Sequence, residues 1–538
     1  MTPIVLDLLA GETVHLWLRG AVRLTGPASV PRLEVLGSHD FQRAAFTAVQ
    51  AGRVTVAGDG EVSLAYAFAA ASVMRDGIRV LFTTPRNRAT DGPIYHFSPP
   101  FGWMNDPNGL IRIGGEIHLF YQHYPHDRFW NTMHWGHAVS HDGGASFRHL
   151  PVFLDPRPEL LAGEMESGGA FSGSTVAAKD GALRVFWTDR QDSREPEWEW
   201  QMTALSPDRL SIGPARAIVD RRPELPGLGK DFRDPYVFRG PDGLWKMLLG
   251  GRDEAGGIVL LYETDAEDAA SGWRFVGPLL RASEMGTEAA ECPCLVPVGD
   301  GLWTLLYCLM FSTDPATGRR NISHAVTGRF DGRSFDPVDT READFGTDAY
   351  AFQAALDGRG AFALGWAANW ADVVKGADFP SAMTLPRRLE WRGDHLATPP
   401  MESLAALRRA SRTIDPAACA PVPILRGAAE IELDLTAPNA PFRLDFDHPT
   451  IALALEHDGV HLELRHRPAD LAEGPRYRAE TPGLSGLRVF LDRGLIEIFA
   501  DGGRWCCTKR LADAAPVTGV RMAGGIGRTT VHDLAAPD

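Results

Sequence analysis

Three acidic residues stand in settings suited to chemistry. Asp106 lies in Phe101-Gly-Trp-Met-Asn-Asp-Pro-Asn-Gly-Leu110, Asp234 in Asp231-Phe-Arg-Asp-Pro-Tyr236, and Glu291 in Glu291-Cys-Pro-Cys294. Pro107 and Pro235 remove a backbone donor and bias the preceding aspartate to an extended conformation. Pro107-Asn-Gly109 reads as a turn, which puts Asp106 at the end of a strand. Two carboxyl groups are what glycoside hydrolysis needs: one attacks the anomeric carbon or holds a water, the other protonates the leaving oxygen. The proton donor belongs in the less polar setting. Glu291, flanked by Ala289, Ala290, Cys292 and Pro293, fits that role. Asp106 beside Asn105 fits an ionised nucleophile. Asp234 beside Arg233 is expected to stay ionised, gripping sugar hydroxyls and stabilising positive charge in the transition state.

Aromatics near these motifs (Trp103, Trp130, Trp135, Phe171, Trp366, Trp370) offer flat walls for a sugar ring. Each motif also has a structural reading: Asp-Pro pairs start turns, Arg233 can pair with any nearby acid, and most of the 14 tryptophans belong to the core. The three acids nevertheless share turn or strand-end positions, where propellers present residues to a central channel.

The chain that must hold them has 538 residues, enough for two to four domains. Its 44% hydrophobic and 23% charged content is that of a soluble globular protein. A formal charge of −15 argues against nucleic acid and against an anionic membrane surface. No apolar run approaches the ~20 residues that cross a bilayer. The first twenty residues lack a basic stretch followed by a long apolar one, so a cytoplasmic location is expected. Cysteines at 292, 294, 308, 419, 506 and 507 form neither a disulfide framework nor a zinc pattern, and they are expected to be mostly buried and reduced. Nothing in the sequence sets an oligomeric state.

Residues 1–92 alternate as short strands at Thr13–Leu18, Arg53–Ala57, Glu61–Phe68 and Arg79–Thr84. They predict a small β domain for packing or positioning, with Trp17 its one candidate sugar contact. A polar passage over 85–95 marks a junction. Residues 93–400 are short aromatic-rich strands between Gly/Asp turns, among them Ile117–Gln122, Ala182–Thr188, Leu244–Leu249, Leu302–Met310 and Phe362–Trp366. Some ~300 residues of such strands without helices predict a β-propeller. Ser140–Phe147 resembles the Asp-box turn of propeller hydrolases. Residues 401–424 read as a linker, with a short helix over Glu402–Ala410. Residues 425–538 read as an antiparallel β-sandwich, its strands Leu487–Leu491 and Leu495–Phe499 joined by a tight Asp492-Arg-Gly turn.

Trp103-Met-Asn-Asp-Pro-Asn-Gly109, Phe171-Ser-Gly-Ser174, Phe232-Arg-Asp-Pro235 and Glu291-Cys-Pro293 resemble glycoside hydrolase family 32 in order and rough spacing. That family contains invertases, inulinases, levanases and fructosyltransferases. Supporting matches are Tyr121-Gln122, Trp130 with Met133-His-Trp-Gly-His137, Asp344–Tyr350, Gly365-Trp366 with Asn369-Trp370, Leu385-Pro-Arg387, Leu487–Arg493 and Ile496–Phe499. The resemblance implies an all-β chain: a five-bladed propeller, then a β-sandwich, preceded here by the extra N-terminal β domain. It implies retaining cleavage of a β-fructofuranosyl bond, with Asp106 as nucleophile, Asp234 as transition-state stabiliser and Glu291 as acid/base. Trp103, Asn105, Gln122, Trp130, Phe171, Ser172, Arg233 and Trp366 match residues lining the fructosyl subsite. The implied partners are sucrose, fructooligosaccharides or fructans, with no metal and no organic cofactor. Water as acceptor makes a β-fructofuranosidase; sugar as acceptor makes a fructosyltransferase. A levan- or inulin-acting exo-enzyme, an arabinofuranosidase, a sialidase and a non-catalytic fructan-binding protein are the competing readings. Two features depart from the family: Cys294 stands where an acid often organises the leaving-group side, and the first 90 or so residues lie outside the common two-domain plan.

Overall fold

The computed structural model describes residues 2–26, 33–35, 40–87, 92–162, 168–282, 288–373, 381–415, 420–468, 475–511 and 513–536. Cys419 and residues 88–91 of the expected junction lie outside the described residues. The other five cysteines are free thiols; four are buried and Cys292 is partly exposed.

The centre of the molecule is five antiparallel four-stranded sheets arranged as propeller blades. Their first strands, Trp103–Ile113, Gly168–Ala177, Phe232–Arg239, Ala289–Gly299 and Tyr350–Asp357, each touch the first strand of the next blade, and the fifth returns to the first. The closed ring is tied by side chains. Gln353 accepts from Leu110 N at 2.6 Å and donates to Gly173 O at 2.7 Å, and Tyr236 donates to Ala354 O at 2.9 Å. The Ser140–Phe147 turn closes on Asp142, which accepts from Ser140 Oγ at 2.8 Å and Ser146 Oγ at 2.6 Å.

All three candidate acids lie on first strands, not in turns. In every blade the first strand carries a β-bulge against the second, between Met104/Pro107, Ala170/Gly173, Arg233/Tyr236, Glu291/Cys294 and Tyr350/Gln353. A bulge inserts an unpaired residue, bends the strand and re-aims its side chains. The expected Pro107-Asn-Gly109 turn is therefore a correction: the segment stays in the strand, and its irregularity is the bulge that tolerates a proline. Gly109 has φ +52°, and a Cβ there would meet the Phe120 and Thr175 side chains at 2.7 Å.

The N-terminal domain is a seven-stranded sheet organised by one long strand, Thr13–Thr25, which pairs with Gln42–Thr47, Glu61–Phe68, Gly52–Gly58 and Leu33–Val35. Alternation gives it two apolar faces. Val14, Leu16, Leu18, Ala65 and Ala67 form its own core. Trp17, Leu64 and Tyr66 face the propeller with Phe101 and Val152. Trp17 is thus fully buried, which removes it as a sugar contact.

The C-terminal sandwich has two six-stranded sheets around one large apolar core. The expected helix over Glu402–Ala410 is a 3-10 segment, Glu402–Leu407, followed directly by strand Arg408–Ile414. That strand pairs with Ile526–Leu534, and Val422–Pro423 pairs with Gly519–Gly524. Residues 401–424 therefore supply an edge strand to each sandwich sheet, because tertiary pairing overrides the local Ala-rich helix preference.

Propeller and sandwich are locked by a buried charged junction. The Asp492 carboxylate accepts from the backbone N–H groups of Ile94, Tyr95 and His96 at 2.7, 3.0 and 3.1 Å, and pairs with His96 Nδ1 at 2.9 Å. Glu497 pairs with His96 Nε2 at 3.0 Å and Arg387 Nη2 at 2.7 Å, while Arg387 Nη1 reaches Asp344 at 3.0 Å.

Candidate active site

At one end of the ring the bulges of the first four blades open on a single cavity of about 290 Å³. Asn105, Asp106, Gln122, Trp130, Phe171, Ser172, Arg233, Asp234 and Glu291 line it. All three candidate acids thus come together, from the first, third and fourth blades.

Asp106 is held on both oxygens. Oδ1 accepts from Asn105 Nδ2 at 3.0 Å, and Oδ2 accepts from Ser172 Oγ at 2.6 Å. Asn105 is fixed in turn by Trp103 Nε1 at 2.6 Å. Burial raises the Asp106 carboxyl above its ordinary value; the Ser172 and Asn105 hydrogen bonds offset part of this, and the charge of Glu291 adds a smaller push upward.

Asp234 takes a left-handed backbone, φ +66°, inside its bulge, a conformation disfavoured for residues with a Cβ. Its Oδ2 accepts from Cys292 N at 2.8 Å, and its own N–H donates to Thr188 Oγ1 at 3.0 Å. Cys292, also left-handed at φ +50°, places its Sγ 3.5 Å from both Asp106 Oδ2 and Asp234 Oδ2. Burial, then the two carboxylates, push that thiol well above its ordinary value, so it stays protonated and can donate its one proton to either acid.

The hydrogen bonds of Arg233 go to acids other than Asp234. The guanidinium is directed at Glu291 Oε1 (2.9 Å), Glu199 (3.0 Å) and Asp231 (2.7 Å). Burial raises Asp234 to about 7; the Arg233 charge offsets only part of this, and Glu291 and Asp106 add to it. The apolar setting expected for Glu291 is likewise polar. Besides Arg233, Tyr350 donates to its Oε2 at 2.7 Å from the fifth blade.

Gln122 is fixed by donating to Ala170 O at 2.9 Å. Trp130 and Phe171 meet edge to face at 6.3 Å and form one wall. Trp103 and Trp366, expected to line the sugar subsite, are fully buried behind it. They pack on Trp370, which does line the cavity, with ring centroids 6.0 and 4.9 Å away. Trp135 is also buried, donating to Phe171 O. Arg190 and Met310 line the cavity without having been singled out in the sequence. Both come from second strands, and no motif marks them. Cys294 lies in the core between blades, its Sγ toward Phe352 O at 3.4 Å, so the thiol does not face the cavity.

Two or more buried carboxyl groups on one sugar-sized cavity at a propeller axis define a glycosidase of the paired-carboxylate class. The model of the glycosyl hydrolases family 32 N-terminal domain matches residues 96–400, and the chain belongs to that family. It is a glycoside hydrolase of the β-fructofuranosidase class. It is 32% identical over 450 residues to the raffinose invertase of Escherichia coli, covering 78% of this chain and 89% of the relative. It is 30% identical over 448 residues to the sucrose-6-phosphate hydrolase of Escherichia coli, with the same coverage. A solved family 32 structure from Bifidobacterium adolescentis superposes with a TM-score of 0.88 over 100% of both chains at 23% identity. The N-terminal domain is thus part of a three-part architecture that another chain shares.

Proposed function

We propose that this chain is a retaining exo-acting β-fructofuranosidase that takes fructosyl units from sucrose or short fructans and passes them mainly to water. Asp106 attacks C2 of the fructosyl unit, Glu291 protonates the departing oxygen, and the C2–O bond to the leaving sugar breaks. Glu291, now ionised, takes a proton from water as that water displaces Asp106 from C2. Asp234 holds fructosyl hydroxyls and faces the positive charge that develops at the ring.

The convergence of Asp106, Asp234 and Glu291 on one small cavity carries this reading. A volume of about 290 Å³ sits at the small end of ligand pockets and suits one terminal sugar unit rather than an internal stretch of chain. Ser172 and Asn105 orient both oxygens of Asp106, as an in-line nucleophile requires.

The test is the ratio of free glucose to free fructose released from concentrated sucrose, with Asp106→Asn as the blank. Equal amounts support hydrolysis. Glucose in clear excess, with the missing fructose recovered in oligosaccharides, replaces it with the transferase reading. Release of fructose from levan or inulin but not from sucrose assigns a polymer-degrading exo-enzyme. Binding without product from any fructoside overturns the enzymatic reading.

A further inference from the structure

The wall that carries Trp130 is not held by the propeller alone. Segment 125–133 connects Glu116–Tyr124 to His134–Ser140 in the first blade, and it contacts the N-terminal domain. Asn87, fully buried, donates to Pro125 O at 2.8 Å and accepts from Gly102 N at 2.7 Å. It thereby staples the segment to the residue just before the Asp106 strand. Gly102 has φ +76°, and a Cβ there would lie 2.3 Å from Tyr124 O, so the two strand ends meet with no space for a side chain. One residue earlier, Arg86 lies 5.4 Å over the Phe129 ring and 3.3 Å from Asp127. Ser63 Oγ contacts His126 Nδ1 at 2.8 Å, Trp17 packs on His126 at 5.2 Å, and Asp40 accepts from Tyr124 OH at 3.2 Å. Phe129 and Trp130 in turn pack into the aromatic cluster containing Trp103, Phe171 and Trp370.

We infer that the N-terminal domain is a working part of the sugar site: Arg86 and Asn87 are positioning residues that fix segment 125–133 and so set where Trp130 meets the substrate. The inference rests on the fructosidase reading for its kinetic consequence, and on geometry alone for the positioning. Two features favour it over simple packing. The contacts converge on the one connection of this blade that carries a cavity residue. They also include buried backbone hydrogen bonds to Pro125 and Gly102 that the blade itself leaves unmade.

The test uses the full chain and Arg86→Ala, because the Arg86 side chain is 55% exposed and its loss should spare folding. Arg53→Ala, at an exposed residue of the same domain that pairs with Asp7, is the control. Arg86→Ala is expected to speed amide hydrogen exchange in 125–133 several-fold and to raise KM for sucrose about three- to tenfold, with kcat within twofold. Arg86→Lys, which keeps the charge beside Asp127 and Phe129, is expected to restore most of the KM. In a Trp130→Ala background Arg86→Ala should add little further, since the two act through one contact. Unchanged exchange in Arg86→Ala, or an equal KM increase with and without Trp130, overturns the inference. A wild-type chain that turns over no fructoside overturns the functional reading instead, and exchange still decides the positioning.

Discussion

Two buried charged clusters sit within the same chain and are balanced in opposite ways. At the propeller–sandwich junction, Arg387 and His96 stand among Asp344, Glu497 and Asp492. Each acid there has a cation, and Asp492 also has four backbone donors. Burial pushes Glu497 up, but Arg387 and then His96 hold it below its ordinary value. Burial alone would depress His96, yet its bonds to Asp492 and Glu497 raise it to about 9. In the cavity, of Asp106, Asp234 and Glu291 only Glu291 is ion-paired to the Arg233 guanidinium, which Glu199 and Asp231 also claim. There the balance fails, and Asp106 and Asp234 are both raised. The junction stabilises; the site holds excess negative charge ready for a cationic transition state.

Removing the proposed proton donor should have the largest effect. Glu291→Gln is expected to lower kcat on sucrose by roughly 10²–10⁴-fold with little change in Tm, measured by sugar release and calorimetry. Near-normal turnover takes Glu291 out of the role. Arg387→Ala should do the reverse, costing about 3–5 kcal/mol of stability in denaturant melts by leaving buried Asp344 without a cation and Glu497 with His96 alone, two acids whose pairing with Arg387 a site mutation leaves intact.

A smaller effect separates the clusters by pH. A raised carboxyl contributes stability that is present below its unfolded pKa and lost as pH rises through the folded value. Asp234, at about 7 when folded against 3.8, costs stability progressively between those values. Asp234→Asn should therefore be more stable than wild type at pH 8, by up to about 4 kcal/mol, with the gap closing near pH 4. His96 is also raised, so its contribution is full below 6.5 and fades as pH rises through about 9. His96→Gln should flatten that later step only. Equal pH profiles for the two variants would erase the distinction between the clusters.

A pH effect of opposite sign lies at the N-terminal interface. Burial depresses His126 well below its ordinary value, and His134 to about 3. Depressed imidazoles lose stability as pH falls below 6.5, by up to about 1.4 kcal/mol per pH unit for each group. Tm should fall between pH 6 and 4, and His126→Gln should make that slope shallower.

Much of this was legible in the residues. Period-two alternation located most strands, and Thr13–Leu18, Glu61–Phe68 and Leu495–Phe499 needed nothing beyond it. The Asp-Pro and Glu-Cys-Pro motifs located the site, because bulged strands restrict which residues they accept. Local signal failed where long-range pairing decided the outcome. Pro107-Asn-Gly109 has turn chemistry but is held in a strand by Glu116–Tyr124, and Arg408–Ile414 follows helix-favouring residues but is captured by Ile526–Leu534. Arg190 and Met310 carry no motif and reach the cavity through strand order. Asp492 and Glu497 belong to recognisable motifs, yet their role at the junction depends on residues some 400 and 110 positions away.

The sequence by itself determined the all-β class, the propeller, the family and the identity of the three acids. Each of these rests on patterns within a few residues or on the order of such patterns. The tertiary structure decided the protonation balance and the construction of the cavity. It directed Arg233 to Glu291 rather than Asp234, withdrew Trp103 and Trp366 behind Trp370, and seated the N-terminal domain against the Trp130 segment. The reason is that a carboxyl's proton affinity and an aromatic ring's exposure depend on neighbours brought from other blades and domains, which spacing along the chain does not encode.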